Sequence, residues 1–242
     1  MERLDKILSS TGRWSRKEVK ELIRMGRVTV DGVPAGSPED KANRNGSDIR
    51  VDGERIPVDR YTYIMLHKPA GLVSATEDPR EPTVLSLLPE HLQKIGLFPA
   101  GRLDKDTVGL LLLTNDGALA HDLLSPKKHV DKTYLVRTER DLDAADVRAF
   151  QEGMTLADGY RCLSAALELQ GEGEALVTLH EGKYHQIKRM CAARGKPVVF
   201  LKRLTFGPLM LDENLAPGEW RELTGEERQS LDCRHVVRPL GE

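Results

Sequence analysis

The chain has 242 residues, enough for one large domain or two unequal ones. Charged residues make up 31% and aromatics 5%, and 36 Lys and Arg stand against 38 Asp and Glu, so the net charge of -2 excludes a simple polycation that coats nucleic acid. Cys162, Cys191 and Cys233 are too widely spaced for a metal pattern or a disulfide framework, and no apolar run approaches membrane-spanning length.

The charge is unevenly spread. Residues 1–30 carry eight basic and four acidic side chains, residues 181–203 seven and one, and residues 212–227 one and six. Two positive regions are therefore offset by acids elsewhere. The start, Met1 to Asp5, is charged and lacks the apolar core of a signal peptide, so a soluble, cytoplasmic, monomeric protein is the expectation.

Leu4, Ile7 and Leu8 fall at helical spacing, which predicts a short helix over 3–10 that Gly12 can end. Ser15 and Glu18 have capping-box form, predicting a second helix to about Met25, closed by Gly26. Val19, Leu22, Ile23 and Met25 share one side of it. Arg16, Lys17, Lys20 and Arg24 share a different arc, which Arg27 continues. Such a cationic stripe suits a phosphate backbone; an ordinary solvated helix face has the same pattern. Val28–Val33 and Ile49–Val58 each alternate around an Asp-Gly pair, a hairpin signal. Arg3-Leu4-Asp5-Lys6, Ser15-Arg16, Leu22-Ile23 and Gly26-Arg27-Val28-x-Val30-Asp31-Gly32 together resemble the alpha-L RNA-binding module, known from a small-subunit ribosomal protein and several RNA enzymes. The resemblance implies that residues 1–59 bind RNA through the stripe.

Past a polar junction near residue 60, Tyr63 to Leu66 reads as a strand and His67 to Gly71 as the turn that leaves it. Leu110 to Leu113 reads as a buried strand ended by Asn115-Asp116-Gly117, followed by a short helix over 118–124. Lys132 to Val136 is a further strand. Asp143 caps a helix carrying Val147, Phe150 and Met154. Ala175 to His180 alternates as a strand, Gln186 to Arg194 is helical, and Val198 to Leu201 returns to strand. No regular βαβ repeat appears, so the class is α+β: a small N-terminal α/β module, then a catalytic domain over 60–235 with a mixed, mainly antiparallel sheet, and a tail over 236–242.

The most specific stretch is Gly101-Arg102-Leu103-Asp104-Lys105-Asp106-Thr107, a glycine-flanked polar turn entering an apolar run. A carboxylate displayed there can serve as nucleophile or base, or simply cap backbone amides. By composition Asp104 and Asp106 are equally eligible. With the Thr-x-Gly-Leu-Leu-Leu-x-Thr-x-Asp-Gly that follows, the stretch resembles the catalytic motif of RNA pseudouridine synthases, in the branch acting on small-subunit ribosomal RNA. The resemblance implies that Asp104 is catalytic. Lys68-Pro69-x-Gly71 matches the same family. Lys132-Thr133-Tyr134 resembles its second motif, implying that Tyr134 stacks on the uracil. Glu181 to Met190 resembles the third, implying that Lys188 pairs with the catalytic Asp, although Arg189 is adjacent and many relatives carry Arg at the pairing position.

The resemblance further implies that Arg102, Lys183 and Arg189 meet RNA, that Leu204 walls the base, and that 16S ribosomal RNA or a small-subunit assembly particle is the partner. A 23S rRNA substrate and a non-catalytic assembly factor are the rival readings. The reaction is an isomerisation, so no cofactor is expected. His180, Glu181 and His185 superficially suggest zinc, but the histidines are five apart and Gly182 interrupts a helix, so no metal is expected.

Overall fold

The computed structural model describes residues 1–171 and 173–231. Cys233 and the expected tail over 236–242 lie outside the described residues. Contacts divide the chain into two units, described separately below. The first comprises Met1–Thr62 together with Leu85–Leu97; the second comprises Tyr63–Val84 and the described residues from Phe98 onward.

In the first unit, helix α1 spans Leu4–Ser9 and helix α2 spans Arg16–Arg24. Ser15 caps α2: its hydroxyl accepts from the Glu18 amide while the Glu18 carboxylate accepts from the Ser15 amide, satisfying two donors that the helix start leaves open. Strands Val28–Val30 and Val33–Pro34 form one hairpin, and Ile49–Val51 and Glu54–Arg55 another. Asp31, Gly32, Asp52 and Gly53 all have positive φ, as two-residue hairpin turns require. The core is Leu4, Ile7 and Leu8 from α1, Val19, Leu22 and Ile23 from α2, and Val28, Ile49 and Val51 from the strands. The segment Leu85–Leu97 contains a short helix, Glu90–Gln93. It passes so close to Gly12 that a Cβ there would lie 2.1 Å from the His91 carbonyl oxygen.

The second unit is built on an eight-stranded sheet. Its strands are β1 (Tyr63–Lys68), β2 (Phe98–Pro99), β3 (Val108–Thr114), β4 (Lys132–Thr138), β5 (Ala166–Gly171), β6 (Glu174–Leu179), β7 (Val198–Arg203) and β8 (Trp220–Glu222). The order is β5-β6-β4-β7-β3-β1-β8, with β2 also paired to β3. Every pairing is antiparallel except β7 with β3, which sets Lys202 beside Val108 and Arg203 beside Gly109. The sheet is thus mixed and mainly antiparallel, and the class is α+β. Leu110 to Leu113 are all fully buried, so β3 is covered on both faces. Each such leucine contributes about 1.5–3 kcal/mol of burial.

Helices α3 (Gly117–Leu124), α4 (Ala144–Glu152) and α5 (Gln186–Ala193) complete the unit. α4 packs on β5 and α5 on β7. Asp116 and Asp143 cap α3 and α4 through their side chains.

Two sequence expectations need correction. His67 and Lys68 do not form a turn. They continue β1, pairing with Leu110 and Gly109, because the Lys68 ammonium finds buried carbonyl acceptors there. Met154 lies outside α4, which ends at Glu152, with Gly153 at φ 70°. The fully buried polar group on α4 is Asp146, which accepts from Arg194 and Lys196.

Candidate active site

The loop between β2 and β3 carries Asp104. It is fastened at several points. The Ser74 hydroxyl donates to the Leu103 carbonyl at 2.9 Å and accepts from the Leu103 amide at 3.1 Å. The Gly71 amide donates to the Lys105 carbonyl at 2.8 Å, and the Thr107 amide to the Asp104 carbonyl at 3.1 Å. Lys68 is fully buried, and its ammonium donates to the carbonyl oxygens of Pro69 at 3.0 Å, Lys105 at 3.2 Å and Thr107 at 2.9 Å. Burial drives the Lys68 ammonium down to about 8, against the upward pull of the Asp106 and Asp104 carboxylates. Leu103 is buried beneath the loop, and Asp104 faces a cleft.

Four further segments close that cleft. β4 supplies Tyr134, nearly buried; β6 and β7 supply Leu179 and Leu201; and the segment entering α5 supplies Gly182, Lys183, His185, Gln186 and Ile187. The Lys188 ammonium reaches Asp104 Oδ2 at 3.0 Å and Asp106 Oδ1 at 2.5 Å. Burial by itself would lower the Lys188 pKa, but hydrogen bonds to Asp106 and Asp104 outweigh it and hold it above the ordinary value. Asp106 is held below the usual carboxylate range by the same bond. Asp106 is 74% exposed and does not line the cleft, whereas Asp104 is 27% exposed and does. Position therefore separates two carboxylates that composition left equivalent.

His185 precedes α5 with left-handed backbone, φ 49°, a conformation uncommon outside glycine. Its Nε2 lies 3.4 Å from Asp104 Oδ1. The cleft thus joins one carboxylate, one ammonium, an imidazole, a tyrosine ring and apolar walls, with Arg102 and Lys183 at its exposed edge. That composition suits a flat, polar, uncharged ring attached to a polyanion.

Residues 62–193 match the RNA pseudouridylate synthase family, and residues 2–46 match the S4 domain family. This chain belongs to the RNA pseudouridine synthase family. It is 46% identical to an uncharacterised RNA pseudouridine synthase of Bacillus subtilis, over 95% of this chain and 98% of the relative. It is 43% identical to the ribosomal small subunit pseudouridine synthase A of Vibrio cholerae, over 95% of this chain and 99% of that one. A solved pseudouridylate synthase structure superposes with a TM-score of 0.68 at 36% identity, covering 96% of this chain and all of that one. The protein is an RNA pseudouridine synthase with an N-terminal S4 domain.

Of the residues singled out in the sequence, the synthase cleft gathers Asp104, Tyr134, Arg102 and Lys183, with Lys188 on Asp104. Arg189 does not join them: its guanidinium lies 2.6 Å from Asp158 and donates to the Tyr184 carbonyl at 3.4 Å. Leu204 does not line the cleft either. Its amide donates to the Thr133 carbonyl, and Leu179, Ile187 and Leu201 form the apolar wall instead. On the S4 domain Arg16, Lys17, Lys20, Arg24 and Arg27 are all exposed. Arg24 pairs with Glu21 and Arg27 with Asp52, while Arg16, Lys17 and Lys20 make no salt bridge among the described residues.

Sequence reasoning gave no role to His185, Ser74 or Lys68. The Lys-Pro-x-Gly match was the one available signal for Lys68, and His185 lay within the Glu181 to Met190 match without being given a part of its own; nothing local marked Ser74. Among the described residues no cluster of His, Cys, Asp or Glu is arranged to hold a metal ion, and no helix is long and apolar enough to cross a membrane.

Proposed function

We propose that this synthase converts one uridine of 16S ribosomal RNA to pseudouridine in the cytoplasm, acting as a monomer through Asp104. The reaction breaks the bond from C1′ to N1 and forms one from C1′ to C5. N1 gains a proton and C5 loses one, so the base is rearranged with no net change in composition. The observation that carries the assignment is the 3.0 Å contact between Asp104 and Lys188 in one cleft with Tyr134. Attack at C1′ and removal of a sugar proton both require the carboxylate ionised, which a neighbouring ammonium favours. Tyr134 stacks on the everted uracil, worth about 1–3 kcal/mol, and helps offset the few kcal/mol of unstacking. Arg102 and Lys183 hold flanking phosphate. Residues 1–59 add salt-sensitive affinity through Arg16, Lys17 and Lys20. The small-subunit assignment is supported by relatives such as those of Vibrio cholerae and Yersinia pestis, the latter 42% identical over 97% of this chain, both named for the small ribosomal subunit.

The test is to map pseudouridines in 16S and 23S rRNA from cells lacking the protein, then restore wild type or Asp104→Asn. One 16S uridine should lose its modification and regain it only with the wild type. Loss at a 23S position would move the substrate to the large subunit. Full restoration by Asp104→Asn would remove Asp104 from the chemistry.

A further inference from the structure

Tyr184, between the cleft residues Lys183 and His185, is the one exposed Phe, Tyr or Trp among the described residues. It is 76% exposed, yet one face of its ring is covered: the His185 ring stacks on it with centroids 3.8 Å apart and planes 17° from parallel. His185 in turn stands 3.4 Å from Asp104. Two successive contacts thus lead from the carboxylate to the open ring. The backbone around Tyr184 is fixed rather than loose. Gln186 accepts from the Lys183 amide at 3.1 Å and donates to the buried Glu181 at 2.6 Å, and the Tyr184 carbonyl accepts from Arg189. An exposed aromatic on a fastened backbone costs burial it could have had, and offers a flat surface already in place.

We infer that the open face of Tyr184 is a stacking platform for an unpaired RNA base adjacent to the uridine bound over Asp104, with His185 supporting it from behind. The inference rests on the proposed function and adds a second base-binding position to it. Taking a uridine out of its stack leaves its neighbour with a bare face, and an aromatic ring of fixed orientation covers that face without reading its identity. Tyr184 is then a positioning residue: it raises affinity and leaves the chemical step to Asp104.

The test is steady-state isomerisation of a 16S rRNA fragment containing the mapped uridine, with the neighbouring nucleotides either intact or made abasic one at a time. On intact RNA, Tyr184→Ala should raise KM about five- to hundredfold with kcat little changed, and Tyr184→Phe should restore it. On the fragment abasic at the stacked position, wild type should lose the same factor and Tyr184→Ala nothing more. A Tyr184→Ala loss that persists undiminished on every abasic fragment overturns the platform. So does a loss confined to kcat, which would assign Tyr184 only to holding His185 against Asp104. If wild type isomerises no uridine, the proposed function fails, and the platform is read separately from the Kd of a single-stranded oligouridylate: equal values for wild type and Tyr184→Ala overturn it.

Discussion

The buried ammonium of Lys68 donates to the Thr107 carbonyl oxygen at 2.9 Å, joining the end of one sheet strand to the loop that carries Asp104. The same group reaches the carbonyls of Pro69 and Lys105, so a single side chain satisfies acceptors on both sides of the loop. Without it the Pro69 and Thr107 carbonyls would lose a buried donor at a desolvation cost, while the Lys105 carbonyl keeps the Gly71 amide.

Lys68→Met is therefore expected to lower unfolding free energy by roughly 2–4 kcal/mol at neutral pH. Its pH dependence is distinctive. The folded-state pKa, about 8, lies below the unfolded value of 10.5, so between those limits the unfolded chain binds more protons. Wild-type stability then rises with pH across that window, by up to roughly 3 kcal/mol, while the variant lacks this contribution. Lys132, also pushed down to about 8 chiefly by burial, is present in both proteins and cancels in the difference. Urea unfolding of the two proteins at pH 7 and pH 10 checks this; a constant gap would refute it.

Gly109 sits where β3 meets β7, at φ 105°, and a Cβ there would lie 2.2 Å from the Arg203 carbonyl oxygen and 2.7 Å from its amide nitrogen. Backbone cannot yield as a flexible side chain would. Gly109→Ala should cost more than about 3 kcal/mol, combining strain with overpacking. Thermal unfolding measures it, and a variant as stable as wild type would mean that the parallel pairing can shift.

Lys188 is shared between two carboxylates, which suits a compact ammonium better than a planar fork. Asp104→Asn should reduce kcat about 10³-fold or more. Lys188→Met should come close to it by removing the ammonium that favours the ionised carboxylate. Asp106→Asn, touching only the exposed side of Lys188, should cost no more than about tenfold, or 1.4 kcal/mol. Single-turnover rates separate the three, and an Asp106→Asn loss equal to that of Asp104→Asn would make the two acids one functional unit.

On the S4 domain, Arg16, Lys17 and Lys20 differ from Arg24 and Arg27 in making no salt bridge among the described residues. Replacing the first three with Gln should weaken rRNA binding and reduce the slope of log K against log salt by about 2–3. Replacing Arg24 and Arg27 should change the slope less, because each already gives up a protein carboxylate to meet phosphate. Filter binding across a salt series decides between them.

What could be read from the sequence was local. Ser15 with Glu18, the Asp-Gly pairs at 31–32 and 52–53, and Asp143 specify caps and turns through bonds to near neighbours, and the structure has each of them. The run Leu110 to Leu113 was legible because a strand covered on both faces needs unbroken apolar residues. Short edge strands such as Trp220–Glu222 were not, since a partner on one side only leaves little pattern to detect. Which of Lys188 and Arg189 meets Asp104 depends on the rotation of α5 about its axis, which is set by tertiary packing and not by local spacing. Leu201 replaces Leu204 at the wall because the register of β7 against β4 sets which side chains face the cleft.

The one parallel pairing in the sheet among the described residues, Val108 and Gly109 beside Lys202 and Arg203, also bears on the order in which the chain can fold. A nascent chain emerging from its own ribosome has the Asp104 loop long before the strand that backs it. Non-local pairings of this kind close late. The Asp104 loop therefore gains the strand that backs it only once synthesis has passed Arg203.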